Sequence, residues 1–271
     1  MADAPPPPQG PIDCHAHLTD PALRPTHAVL QEAAAAGVAG VVCVSETLDD
    51  AAAVLELAKA QPLVHACVGL HPVQPGDVSL TPEEVPAMVA LMETAAAAGT
   101  IVGVGEVGLD FRPRVLGADP EAAKAGQRAA FAMQCEAANR LGLAVNIHSR
   151  SAGHHALKVV VDAGVPPGRA VFHAFDGKAK YAVAVAEAGY LLSVPPNVVR
   201  SPGMQAWIAR VPLSALCLET DSPALAAEAG AVNTPSQVAV GAMEVARIKG
   251  VPVEEVVEAT SANARRLFPG V

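Results

Sequence analysis

Six residues whose side chains can ligate a metal each stand at the end of an apolar, strand-like run. His15 and His17 flank a single alanine in Ile12-Asp13-Cys14-His15-Ala16-His17. Residues two apart on an extended segment face the same way, so both imidazoles reach one point. Glu106 follows Ile101-Val102-Gly103-Val104-Gly105, His148 follows Leu143-Ala144-Val145-Asn146-Ile147, His173 follows Ala170-Val171-Phe172, and Asp221 follows Leu216-Cys217-Leu218-Glu219-Thr220. A lone buried histidine is usually a satisfied core residue, and a lone buried carboxylate needs a cationic neighbour. Six such residues at strand ends read as ligands instead. One structural zinc takes four, so the set asks for two divalent ions, with the two oxygens of Glu106 placed to bridge them. Zinc, manganese, iron or nickel suit mixed imidazole and carboxylate donors, and magnesium is the less favoured option for so histidine-rich a set. The chemistry is metal-assisted hydrolysis, with Asp221 and Glu106 as the catalytic carboxylates and Asp221 as the proton acceptor for the attacking water.

Other residues are placed to support that centre. Glu219 lies earlier in its run and can orient a histidine from behind, and Asp110 can order the adjoining loop or brace a ligand. Arg150 lies two residues beyond His148. Its guanidinium fork fits a phosphate oxygen, and a surface salt bridge is an equally good reading of it. His71, in Gly69-Leu70-His71-Pro72, ends the third strand and is expected to touch substrate, as is Arg112. His65 reads as core and His27 as structural. His154 and His155 open a helix, with His154 in reach of the mouth.

These ligands need a scaffold that gathers distant segments. Strands are predicted at 12–14, 38–45, 63–68, 101–105, 144–148, 170–173, 190–194 and 216–219. Helices are predicted at 26–36, 49–60, 82–98, 120–141, 152–163, 178–188, 203–209, 235–249 and 253–268. Gly37, Gly99, Gly142, Gly164 and Gly189 each fall between a helix and the next strand, where a glycine C-cap belongs. A doubly wound sheet would show the same punctuation, but eight strands and 271 residues fit a TIM (β/α)8 barrel of the metal-dependent hydrolase type. Residues 1–11 read as a flexible Pro-rich tail and 12–271 as a single domain. The stretch 110–127 reads as a long loop at the barrel mouth.

Apolar residues make up 51% and charged residues 17%, which excludes a disordered chain. No apolar run reaches a membrane-spanning length, and the first residues lack a basic, apolar leader. Five scattered cysteines, Cys14, Cys43, Cys67, Cys135 and Cys217, suit buried thiols in a reducing compartment. An intracellular protein, cytoplasmic or nuclear, is therefore expected, with no membrane and no obligate protein partner. A net charge of −9 argues against coating duplex DNA along a basic face. Aromatic residues are only 3%, and Trp207, Tyr181 and Tyr190 suggest no stacking platform.

The ordered series Asp13-Cys14-His15-Ala16-His17, Gly69-Leu70-His71-Pro72, Gly105-Glu106-Val107-Gly108-Leu109-Asp110, Ile147-His148-Ser149-Arg150, His173-Ala174-Phe175-Asp176-Gly177, Glu219-Thr220-Asp221-Ser222-Pro223, Asn233-Thr234-Pro235 and Asn263-Ala264-Arg265-Arg266-Leu267-Phe268 resembles the TatD family of metal-dependent deoxyribonucleases. Within the family the chain is most similar to the third vertebrate TatD-domain paralogue. The resemblance implies a binuclear site, with His15, His17, Glu106 and Asp221 on one ion and Glu106, His148 and His173 on the other. It implies hydrolysis of DNA or a short oligonucleotide, from a 3′ end. Phe111-Arg112-Pro113-Arg114 departs from the Tyr-rich stretch usual in bacterial-type members. The competing readings are an amidohydrolase-like enzyme acting on a small ester, lactone or amide, and a metal-binding scaffold protein.

Overall fold

A computed structural model describes residues 10–271. The expected tail at 1–11 lies outside these residues except for Gly10 and Pro11. Eight parallel strands close into a barrel: β1 (Ile12–Ala16), β2 (Gly40–Val44), β3 (Val64–Val68), β6 (Gly103–Asp110), β7 (Ala144–Arg150), β8 (Ala170–Phe172), β9 (Leu191–Val194) and β10 (Leu216–Leu218). Their order around the barrel is β1-β10-β9-β8-β7-β6-β3-β2. Outside the barrel, β4 (Val73–Gln74) and β5 (Val78–Ser79) form a small antiparallel hairpin after the third barrel strand, which the sequence did not suggest.

Ten helices lie between and after the strands: α1 (Thr26–Ala35), α2 (Leu48–Ala60), α3 (Val85–Ala97), α4 (Pro113–Leu116), α5 (Pro120–Leu141), α6 (Gly153–Asp162), α7 (Ala179–Glu187), α8 (Pro202–Ile208), α9 (Val238–Lys249) and α10 (Val253–Leu267), among the described residues. The strands are short, β-branched and buried on both faces, as a parallel sheet under a helical layer requires.

Two departures from the expected elements bear on the site. β6 does not stop at Gly105 but runs eight residues to Asp110, so Glu106 and Asp110 stand on a strand, not in a turn. The expected loop at 110–127 is mostly ordered: α4 occupies part of it, and α5 begins at Pro120, where the Asp119 side chain accepts a hydrogen bond from the Ala122 N–H at 3.1 Å. Gly108 is required by close packing of β6 on β7. Its φ is +148°, and a Cβ there would lie 2.0 Å from the carbonyl oxygen of His148.

Closure joins β1 to β10. Asp13 lies opposite Leu218 in the ladder. Its carboxylate accepts from the Thr220 N–H at 2.8 Å, the Thr220 hydroxyl at 2.5 Å and the His15 N–H at 3.2 Å. The His17 N–H donates to the Ser222 carbonyl at 2.8 Å, and the Asp221 N–H to the His15 carbonyl at 2.9 Å. The strand bearing the first two histidines is thereby locked to the segment bearing the last carboxylate.

Candidate metal centre

The six ligand candidates meet at the C-terminal mouth of the barrel, from the first, fourth, fifth, sixth and eighth barrel strands or the residues just beyond them. His15 Nε2 and His17 Nε2 lie 3.3 Å apart. Each faces Glu106 Oε2, at 3.5 and 3.4 Å, and Asp221 Oδ1, at 3.5 and 3.3 Å. Four donors on a tetrahedron with bonds of about 2.0–2.1 Å sit about 3.3–3.4 Å apart. The five separations that involve a histidine match that spacing, and His15, His17 and Glu106 form one candidate metal group, with Asp221 facing both imidazoles. The other oxygen, Glu106 Oε1, lies 2.7 Å from both His148 Nδ1 and His173 Nε2, which are themselves 3.2 Å apart. These are hydrogen-bond distances, closer than ligand atoms stand around an ion, and Glu106, His148 and His173 would hold an ion only with these separations slightly widened. The rings of His15 and His173 stack at 3.9 Å and 5°, so the two groups adjoin, and His15, His173 and Asp221 also offer ligand atoms within 4.8 Å of one another.

Partners behind the ligands fix their orientation. His15 Nδ1 faces Asn146 Oδ1 at 2.9 Å, and the Asn146 amide donates to the Cys14 carbonyl at 2.9 Å. An amide oxygen only accepts, so Nδ1 carries the proton and Nε2 keeps its lone pair for an ion. His148 Nε2 faces Asp110 Oδ2 at 3.3 Å, and Arg112 grips both oxygens of Asp110 through its guanidinium. His173 Nδ1 has no hydrogen-bond partner among the described residues, but Glu219 Oε2 stands 3.7 Å away. Glu219 is itself held, accepting from Ser193 Oγ at 2.6 Å and the Ala174 N–H at 2.8 Å. That bond secures Ala174 at φ +40°, where the chain turns out of the barrel.

The electrostatics call for cations. Burial alone would raise the Glu106 carboxyl, but the fields of His173, His71, His15 and His148 outweigh it and hold the group well below its ordinary value. Asp221 is held down in the same way, against burial, by His17, His173 and His15. The histidines move in the opposite sense. Burial opposes charge on His17, but Asp221 and Glu106 raise it to about 9, and Glu106 and Glu219 raise His173 well above the ordinary range against the same penalty. Without ions, protons are drawn into the places that divalent cations suit better.

The remaining expected residues divide by position. His71 is buried, with Nε2 3.7 Å from Glu106 Oε1, and burial drives its pKa down to about 4, so it is neutral at pH 7. Arg150 is half exposed and pairs with Asp176 at 3.1 Å on the rim of a small cavity of about 70 Å³ that also reaches His148, His173 and Asp221. Arg112 serves Asp110 and is partly open to solvent. His65 is half-buried and His27 exposed, both away from the ligand cluster.

Sequence reading missed the amides that hold the strand ends. Gln127 exchanges two hydrogen bonds with the Asp110 backbone, at 2.9 and 3.1 Å, and Gln134 does the same with Leu70, at 2.8 and 3.1 Å. Two glutamines seven residues apart on the buried face of an alanine-rich helix were the available signal. Glu46, just beyond β2, was missed too. Partial burial at the rim raises its pKa, which His17 counters and Glu106 reinforces.

A parallel eight-stranded barrel with this ligand cluster at its mouth defines a metal-dependent hydrolase of the TIM-barrel type. The chain belongs to the TatD-related DNase family, whose model matches residues 12–269. It is 38% identical over 266 residues to deoxyribonuclease TATDN3 of Homo sapiens, across 96% of this chain and 95% of that one. It is 32% identical over 267 residues to the uncharacterized metal-dependent hydrolase TatD of Mycobacterium tuberculosis, across 95% and 97%. The crystal structure of the TatD homologue YjjV from Escherichia coli superposes with a TM-score of 0.84 at 28% identity, covering 95% of this chain and 97% of that one.

Proposed function

We propose that this protein is a metal-dependent deoxyribonuclease that hydrolyses DNA phosphodiester bonds as a 3′–5′ exonuclease. One observation carries the reading. Four donor atoms of His15, His17, Glu106 and Asp221 stand 3.3–3.5 Å apart wherever a histidine meets its neighbours, while the second oxygen of Glu106 faces His148 and His173. His15, His17, Glu106 and Asp221 would hold one ion, and Glu106, His148 and His173 the other, with zinc or manganese better suited than magnesium. When bound, two such ions supply charge stabilisation for the phosphoryl oxygens and a nucleophilic water at neutral pH.

The chain's own residues do the rest. Asp221, held ionised by His17 and its neighbours, accepts the proton of the attacking water at its carboxylate. Neutral His71 offers a ring nitrogen toward the phosphate from the β3 side. Arg150 exchanges Asp176 for a phosphate oxygen at the rim, and Arg112 holds Asp110 against His148 beside it. Five buried free cysteines suit a reducing compartment, so we place the protein inside the cell, in cytoplasm or nucleus.

End-labelled single- and double-stranded DNA, incubated with metal-loaded protein and read by fragment length, tests the proposal. Nucleotide-by-nucleotide shortening from the 3′ end is expected. Asp221→Asn should lower kcat by roughly 10²–10⁴-fold, the usual contribution of a positioned proton acceptor, with the fold retained. Turnover of esters, lactones or amides without any phosphodiester cleavage would overturn it.

A further inference from the structure

Four rings stand in a row along the barrel mouth, outside the metal centre. Tyr181 and His154 stack at 4.8 Å and 18°, His154 and His155 lie 3.9 Å apart, and His155 and Phe111 lie 5.3 Å apart. They come from three consecutive units: Phe111 directly follows β6, His154 and His155 open α6 after β7, and Tyr181 opens α7 after β8. These are the strands that lead to Glu106, His148 and His173. The Phe111 N–H donates to the Arg150 carbonyl at 3.0 Å, so the row is built onto the rim of the site. His154 is exposed, and the other three rings are half-buried.

Cations are interleaved with the rings. Lys180 Nζ lies 4.8 Å from the Tyr181 ring, and Arg128 and Lys124 lie 5.1 and 5.8 Å from that of Phe111. Lys124 shares Glu121, while Arg128 and Lys180 form no ion pair among the described residues. A cleft of about 620 Å³ opens between Phe111, His155, Arg128 and Ser151, one residue beyond Arg150. On a protein of net charge −9, this concentration of base and ring is local. The scarcity of aromatic residues hides the row, because two of its four members are histidines.

We propose that this row is the track for the single DNA strand leading into the cut site. Bases lie against Tyr181, His154, His155 and Phe111, and phosphates follow Lys180, Arg128 and Lys124. Rings offer every base a face regardless of sequence, and a basic groove follows the backbone, which together make a single-strand grip. A protein partner fits less well, since it has no periodic run of anions and flat rings to match this alternation. The assignment rests on the phosphodiesterase reading of the site.

Binding of phosphorothioate-linked oligothymidylate to the metal-loaded protein, compared with an abasic strand of equal length, tests the track. The wild-type protein should bind the base-bearing strand more tightly, by about ten-fold, and a His154→Ala/Tyr181→Leu double variant should lose that preference. Absence of the preference in the wild type, or its survival in the double variant, would overturn the track. Arg128→Gln and Lys180→Gln, both at the surface, give a second measurement. Each should flatten the salt dependence of binding by about 0.7 in log–log slope, one phosphate contact on a single strand, and unchanged slopes would likewise overturn it. Failure of the metal-loaded protein to cleave any phosphodiester, with the base preference intact, would strike the reading of the centre and leave the row standing as a single-strand binding surface alone.

Discussion

Glu219 touches neither of the ligand groups directly, yet it governs one of them. Its carboxylate stands 3.7 Å from His173 Nδ1, an atom with no other polar neighbour in hydrogen-bond reach among the described residues. Glu219→Gln keeps an acceptor for the Ala174 N–H and removes the charge that makes His173 a stronger donor. It should weaken cation binding at the His148/His173 group about 10–100-fold, read by calorimetric titration of chelated protein, and leave the other group near its original affinity. Equal weakening of both groups would contradict this division. The ligands themselves were legible because each is a polar residue ending an apolar run, an arrangement with few benign explanations. Asn146 and Asp13 were not singled out, because a polar residue inside a strand announces only that it has a partner, and the partners lie 131 and 207 residues away.

Helix α5 acts on the mouth through its inner face. Gln134 pairs with both backbone groups of Leu70, one residue before His71, much as a neighbouring strand would. Gln134→Leu orphans a buried N–H and a buried C=O, at about 1–3 kcal/mol for each group left without a partner. Urea unfolding should show that loss, and KM for an oligonucleotide should rise as His71 loosens, with kcat less affected. Strand and helix order were legible from alternating apolar runs and glycine caps. The ends were less so: β6 runs five residues past its expected stop, because Glu106, Gly108 and Asp110 break the apolar pattern although pairing with β7 resumes at Val107 after an irregularity and continues to Asp110. Only the three-dimensional ladder reveals that a polar stretch remains a strand.

At the scale of the molecule, the buried charge at the mouth makes the ion-free fold sensitive to pH. His17 is held at about 9 against an ordinary 6.5, so its proton stabilises the fold fully below about 6.5, and that contribution is lost as pH rises through about 9. Asp13, raised by burial to about 8 from 3.8 despite its hydrogen bonds, acts in the same sense, and its share is lost as pH climbs to about 8. Glu106 and Asp221 are depressed, so their contributions are complete above the carboxylate range and do not vary in this window. Chelated protein should therefore show a urea midpoint that falls between pH 6.5 and 9. Metal-loaded protein, with an ion in place of the His17 proton, should show a shallower slope. A midpoint that rises with pH in the chelated protein would contradict the assignment.

The barrel's closure between β1 and β10 also has a meaning in time. The donors begin at His15 and finish at Asp221, and Asp221 is placed by backbone bonds to the strand that carries His15. A chain emerging from the ribosome thus carries its first two imidazoles through most of the barrel's synthesis before the carboxylate that faces them in the fold. The cluster of His15, His17 and Asp221 therefore forms in one late step, when the ends of the sheet meet.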